Sequence, residues 1–137
     1  MGTRRLWHRP AFVVLAVMLL FAMTRARAEE TIRGRVLSGG TPIAKSTVTL
    51  WEASGDAPRQ VAQTKTGGDG RFEVRGRAKG SDSSLYLIAA GGELKSGGGD
   101  NPAIALLTVL GNKPPSTVTI NEMTTVSSVW TNNQFLD

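Results

Sequence analysis

The sequence predicts an all-β fold: a seven-stranded β-sandwich behind a cleaved export signal, closed by a short C-terminal helix. Three observations carry this. A basic, then apolar, then small-residue block opens the chain. Short runs alternating with period 2 follow, broken by Gly, Pro, Asp and Asn. After residue 120 the apolar spacing changes to that of a helix.

The opening block reads as a signal peptide over residues 1–28. Arg4, Arg5, His8 and Arg9 make the basic start, and residues 11–23 contain no polar side chain. Ala26-Arg27-Ala28 supplies the small-x-small site, with cleavage after Ala28. An apolar run of this length falls short of the roughly 20 residues a spanning helix needs, so no stable membrane span is expected after cleavage. Thr3-Arg4-Arg5-Leu6-Trp7 is loosely like a twin-arginine signal, leaving that route open beside general secretion. The whole chain carries a formal charge of +5, but five of its 16 basic residues are leader arginines. Eleven basic residues then face 11 acidic ones, so the basic balance does not imply nucleic acid. The expected location is the periplasm or the extracellular space. There is no cysteine, and His8 is the only histidine. The mature core must therefore hold by packing, without disulfides or thiolate metal ligands.

Strands are expected at 31–37, 46–51, 59–66, 71–75, 85–90, 103–110 and 118–120. In the first, Ile32, Gly34 and Val36 share one face while Arg33 and Arg35 share the other. Val48 and Leu50 oppose Thr47, Thr49 and Trp51, and Phe72 and Val74 oppose Arg71, Glu73 and Arg75. Residues 85–90 are apolar on both parities, as a central strand covered on both faces would be. The expected core is Ile32, Val36, Val48, Leu50, Phe72, Val74, Leu85, Leu87 and the run 104–110.

Ser38-Gly39-Gly40 and Gly67-Gly68-Asp69-Gly70 are read as tight hairpin turns. Pro42, Pro58 and Pro114-Pro115 are placed between strands, where no ladder donor is lost. Residues 91–102 form the longest glycine-rich loop, a place for binding groups. Met123, Val126, Val129 and Trp130 recur at helical spacing, with Asn121 as N-cap and Glu122 in the first turn. The sandwich is assigned to 29–115. Residues 116–137 become a short strand and helical tail that either packs back or, the favoured reading, begins a further region.

Ile32-Arg33-Gly34-Arg35-Val36, then Gly40-Thr41-Pro42-Ile43-Ala44, then Val48-Thr49-Leu50-Trp51 stand in order. Thr66-Gly67-Gly68-Asp69-Gly70-Arg71-Phe72 and Leu85-Tyr86-Leu87-Ile88-Ala89 follow. Over about residues 31–90 this resembles the carboxypeptidase regulatory-like domain of exported bacterial proteins. The resemblance implies a transthyretin-like (Ig-like) β-sandwich. Gly67 stands where that family usually has an acid. The histidines and C-terminal Tyr-Arg-Gly-Ser of the related hydroxyisourate hydrolases are missing.

Chemistry is sparse. Serine acyl transfer generally needs a base, most often histidine, and the mature chain has none. Lys45 and Ser46 are strand neighbours and so should face opposite ways. Asp56, Asp69, Asp82 and Asp100 fall in turns, where Asp commonly bonds backbone. Asp69 and Asp100 are the only candidate Ca²⁺ ligands, and no catalytic or cofactor-binding residue is assigned. Arg33, Arg35, Arg71, Arg75, Arg77 and Lys79 would form a basic face if the strands 31–37 and 71–75 share a sheet. Trp51 is the candidate ligand aromatic. The expected function is a non-catalytic module for structural support or protein interaction. The alternative is a carbohydrate or anionic-ligand binder using the 91–102 loop and Trp51, or the arginine face. The partner is then another protein or a cell-envelope glycan.

Overall fold

A computed structural model describes residues 29–94 and 98–133. The expected signal peptide over residues 1–28, with its expected cleavage after Ala28, lies outside the described residues, as do Gly97 of the long loop, Phe135 and Leu136. Nine strands and one helix follow in order: β1 (Glu30–Ser38), β2 (Thr41–Ala44), β3 (Thr47–Ala53), β4 (Arg59–Lys65) and β5 (Arg71–Gly76). Then come β6 (Ser84–Ala90), β7 (Glu93–Leu94), β8 (Ala105–Gly111), β9 (Thr117–Ile120) and α1 (Glu122–Asn133).

The strands form two sheets. One has the order β5–β1–β2–β7 with β9 alongside β1, and the other has the order β4–β3–β6–β8. Every strand pairing is antiparallel except β1 with β9, which runs parallel from Arg33↔Thr117 to Val36↔Ile120. The core lies between the sheets. Ile32, Val36, Ile43, Phe72, Val74 and Ile120 come from the first, and Val48, Leu50, Leu85, Leu87, Ala89 and Leu106 from the second. Alternation produces this directly, because each strand turns every second side chain inward.

Several expectations need correction. The strand count among described residues is nine, not seven. Residues 41–44 pair with β1 at Leu37↔Pro42 and with β7 at Ile43↔Leu94, so Pro42 lies within a strand. It sits at the second residue of a four-residue strand, where a missing N–H costs little. Gly39 and Gly40, at φ 53° and 80°, do close the β1–β2 hairpin. The 67–70 turn is not a hairpin. β4 pairs with β3 and β5 with β1, so Gly70, at φ 75°, carries the chain from one sheet to the other.

The boundary at 115 also moves. Ile120 is fully buried, so β9 is an integral strand of the sandwich rather than part of a tail. Of the 104–110 run only Leu106 and Thr108 are buried, and Val109 is exposed. β6 is central in its sheet, but Tyr86 and Ile88 on its outer side are only half-buried, with no second layer over them among the described residues. Phe72 lies across Gly34, its cross-strand neighbour. A Cβ on Gly34 would fall 2.7 Å from Phe72 Cζ, so the bare backbone makes room for the ring.

Helix α1 is capped as its sequence suggests. Thr124 N–H donates to Asn121 Oδ1 (2.9 Å), and Asn121 N–H donates to Thr124 Oγ1 (3.0 Å). Glu122 accepts from Ser38 Oγ (2.6 Å) and from Gly39 N–H (3.0 Å), tying the first turn of the helix to the β1–β2 hairpin. These donors, Ser38 foremost, hold the Glu122 carboxyl below its ordinary range.

Candidate interaction surface

β8 is an edge strand, and an edge leaves N–H and C=O groups unpaired. Helix α1 meets those groups with short hydroxyl side chains. Leu107 N–H donates to Thr125 Oγ1 (2.9 Å), and Val109 N–H donates to Ser128 Oγ (3.1 Å). Thr124 Oγ1–H donates to the Leu107 carbonyl (3.1 Å). The helix therefore seats its polar stripe on the sheet, and its apolar stripe turns away. Met123 is 72% exposed, Val126 63%, Val129 56% and Trp130 73%. The helix packs back on the sandwich, through its hydroxyl face rather than its apolar one.

The outer side of the four-stranded sheet is apolar as well. Cross-strand pairing sets Trp51 beside Tyr86 and Tyr86 beside Val109 in one row. Thr49, Ile88 and Leu107 make the next row. The Trp51 and Tyr86 rings lie 6.5 Å apart with planes inclined by 13°. Each thus shields part of the other, which is why Trp51 is half-buried rather than free. Partial burial pushes the Tyr86 hydroxyl up. A depression of about 360 Å³ between Ala53, Ser84, Tyr86, Ile88, Leu107 and Val109 marks this face.

Among the described residues, Trp51 and the 91–102 loop lie at opposite ends of β3. Ala90, where the loop begins, pairs with Thr47 at the other end of β3. Thr47 and Trp51 are four strand steps apart, roughly 13 Å. The loop itself folds back on β2 through β7 and the Glu93↔Asp100 bridge. Asp100 Oδ1 accepts the Gly92 N–H (3.0 Å), and Asp69 Oδ1 accepts the Arg71 N–H (3.1 Å). Both Ca²⁺ candidates are thus engaged by backbone, in separate turns. Among the described residues no group of three or more His, Cys, Asp or Glu converges to hold a metal ion.

The arginine face has the geometry that alternation implies. β1 and β5 are paired neighbours, with Arg33↔Glu73 and Arg35↔Arg71 in register. Glu73 sits among the cations, accepting from Arg33 Nε (2.9 Å) and from Arg75 Nη2 (2.9 Å). Those hydrogen bonds, Arg75's first, hold its carboxyl below the ordinary range. Arg71 pairs with Asp69 (3.3 Å), and Arg35 donates to the Asp69 carbonyl (3.2 Å). The face keeps a modest positive excess with much of its charge already paired. Arg77 and Lys79 lie off it, in the connection after β5; Arg77 lines a depression with Glu30 and Lys113.

Lys45 and Ser46 diverge for a reason other than strand alternation. Lys45 occupies a turn at φ 56°, and its ammonium pairs with Glu93 (2.9 Å). Ser46 is buried, and its hydroxyl donates to the Ala90 carbonyl (3.3 Å).

Glu52 went unnoticed in the sequence, although its parity with Val48 and Leu50 placed it inward. It is 5% exposed and accepts from the Lys79 N–H and from Arg59 Nε (2.9 Å). These bonds staple the β5–β6 connection onto the β3–β4 hairpin. The Lys79 N–H, aided by Arg59 and Ser83 against the opposing effect of burial, draws its carboxyl down to about 2. A depressed carboxyl stabilises the fold fully above its unfolded value near 4.5, and that contribution is lost as pH falls through about 2. Glu52→Ala is expected to cost about 2 kcal/mol at neutral pH, since it orphans the Lys79 N–H. Urea melts at pH 7 and across pH 4.5–2 check this. The variant should lose less stability on acidification than the parent.

No family model matches the chain, and no curated protein matches it. A solved structure with a similar arrangement is a 9R-lipoxygenase from Cyanothece PCC8801, at 14% identity and a TM-score of 0.44. The match covers 82% of this chain and 20% of the lipoxygenase. At that level the likeness supports nothing about activity.

Proposed function

We propose that the chain is a non-catalytic, exported β-sandwich module that works by protein interaction or structural support in the periplasm or at the cell surface. The order of its sequence motifs supports placing it with carboxypeptidase regulatory-like domains. The observation that carries the reading is the uncovered apolar surface, on α1 and on the outer side of β3, β6 and β8. A monomer rarely leaves four large apolar side chains together on one helix face unless something covers them. The acidic groups, by contrast, are largely committed to structure: Glu52, Asp69, Glu73, Glu93, Asp100 and Glu122 each hold a backbone or cationic donor.

The test is to express the whole chain in a Gram-negative host and follow it by fractionation and intact mass. Recovery in the periplasm or medium, shortened by residues 1–28, agrees with the proposal. A full-length product in the cytosol contradicts it. The second reading, glycan binding, is favoured by the near-parallel Trp51 and Tyr86 rings, with Gln63 and Thr49 hydrogen-bonded on the same sheet (3.0 Å). It requires saturable binding on a glycan array that Trp51→Ala abolishes.

A further inference from the structure

We propose that the outer face of the β9–β1–β5 array binds a phosphate monoester between Arg35, Arg71 and Lys65. The proposal goes beyond the interaction reading, which rests on α1 and the other sheet.

Register builds the site. Across the three strands Thr119, Arg35 and Arg71 stand in one row, and Thr117, Arg33 and Glu73 in the next. The second row closes on itself, because Glu73 accepts from both Arg33 and Arg75. The first does not. Arg35 and Arg71 are cross-strand partners of like charge, an arrangement that ordinarily destabilises a sheet. Asp69 pairs its carboxylate with Arg71 and gives Arg35 only a backbone carbonyl. Lys65, at the end of β4, lines the same depression of about 730 Å³, with Thr117 and Thr119 on its β9 side. Among the described residues neither Lys65 nor Arg35 has a carboxylate within ion-pair distance.

Charge selects the ligand. Three cations, Arg35, Arg71 and Lys65, against the one carboxylate of Asp69 leave a local excess of two positive charges. At neutral pH a phosphate monoester carries about −1.5 to −2 on three terminal oxygens. A carboxylate or a sulfate monoester brings a single charge and leaves the row cationic. The donors fit as well. Guanidinium forks suit a tetrahedral oxyanion, and the lysine adds a point charge. A long polyanion would need unspent cations repeated along the face, whereas the neighbouring row is committed to Glu73. All three cations are exposed, so water and salt screen the attraction and the expected dissociation constant is about 1 mM.

The test uses isotope-labelled protein recovered from cells expressing the whole chain. It is titrated with glucose 6-phosphate to about 20 mM at about pH 7.5 and followed by amide chemical shifts. Saturable shifts at Arg35, Arg71 and Thr119 are expected. Glucose 6-sulfate, of the same shape but lower charge, should bind at least about fivefold more weakly. Arg35→Gln and, separately, Lys65→Gln should each weaken glucose 6-phosphate at least about fivefold. Lys65 has no described partner to lose, so that variant stays informative should Arg35→Gln fold poorly. Lys79→Gln removes the same charge outside the depression and should change affinity less than about twofold.

Phosphatidylcholine vesicles with about 20% phosphatidic acid present the same monoester on a lipid surface. Flotation that Lys65→Gln abolishes supports the site with a headgroup as its source, and saturable glucose 6-phosphate binding without flotation supports it with a soluble ester. Neither shifts nor flotation overturns the proposal. So does equal affinity for the sulfate, or a loss with Lys79→Gln as large as with Lys65→Gln. Export is decided separately by the fractionation.

Discussion

Phe72→Ala is expected to destabilise the domain by about 3–5 kcal/mol, the usual cost of emptying a buried aromatic site. Phe72 is 6% exposed and stands in the cluster with Val36, Val74 and Ile120. The loss is a large share of the about 5–15 kcal/mol that holds a domain of this size. It should lower the melting temperature by more than about 12 °C. Urea unfolding monitored by circular dichroism measures it, and a loss below about 1 kcal/mol would place the ring outside the core.

Gly34→Ala should be of similar size, at least about 3 kcal/mol, by the opposite mechanism of overfilling. The new methyl would lie 2.7 and 2.8 Å from Phe72 Cζ and Cε1, and would also press on the Val118 carbonyl oxygen. The ring can turn, but the carbonyl belongs to the β9 backbone, which is paired to β1 through Gly34↔Val118. Moving β9 would disturb buried Ile120 and, one residue later, the cap of α1. Combining Gly34→Ala with Phe72→Ala should therefore recover about 1–2 kcal/mol relative to the sum of the single losses, and no more. Strict additivity would show that the ring and the missing methyl do not share one space.

Most of the strand framework was legible because period-2 alternation is a direct consequence of strand geometry. Residues 31–37 and 71–75 alternate without a break, and both form strands with the expected faces inward. Their pairing brings Arg33, Arg35, Arg71 and Arg75 onto one surface without Arg77 and Lys79, and Asp69 and Glu73 offset more of its charge than spacing alone conveys. β2 and β7 were missed because Pro42 and the glycines around residue 92 look like punctuation. The 67–70 turn was misread because Gly-Asp-Gly chemistry is the same whether the next strand pairs back or crosses to the other sheet.

The helix shows a different limit. Helical spacing identifies which side chains share a face, but not which face turns inward. Here the edge N–H groups of Leu107 and Val109 donate to Thr125 and Ser128, and those bonds set the polar face inward. Thr124, Thr125 and Ser128 lie within one turn of one another and were visible as a polar stripe. Nothing in the sequence shows that a strand edge needs them. Glu52 was recoverable by alternation alone and was passed over because a glutamate at a strand end ordinarily faces water.

Everything proposed for the apolar surface depends on α1 seating its hydroxyls, not its hydrocarbon, against β8. Amide hydrogen exchange at Leu107 and Val109 reads this most directly. With Thr125 and Ser128 accepting from them, both amides should be protected to a degree comparable with Leu87 in the centre of the sheet. Exchange of both at the rates of an open strand edge would mean that the helix does not sit there, and that its apolar stripe is not turned outward.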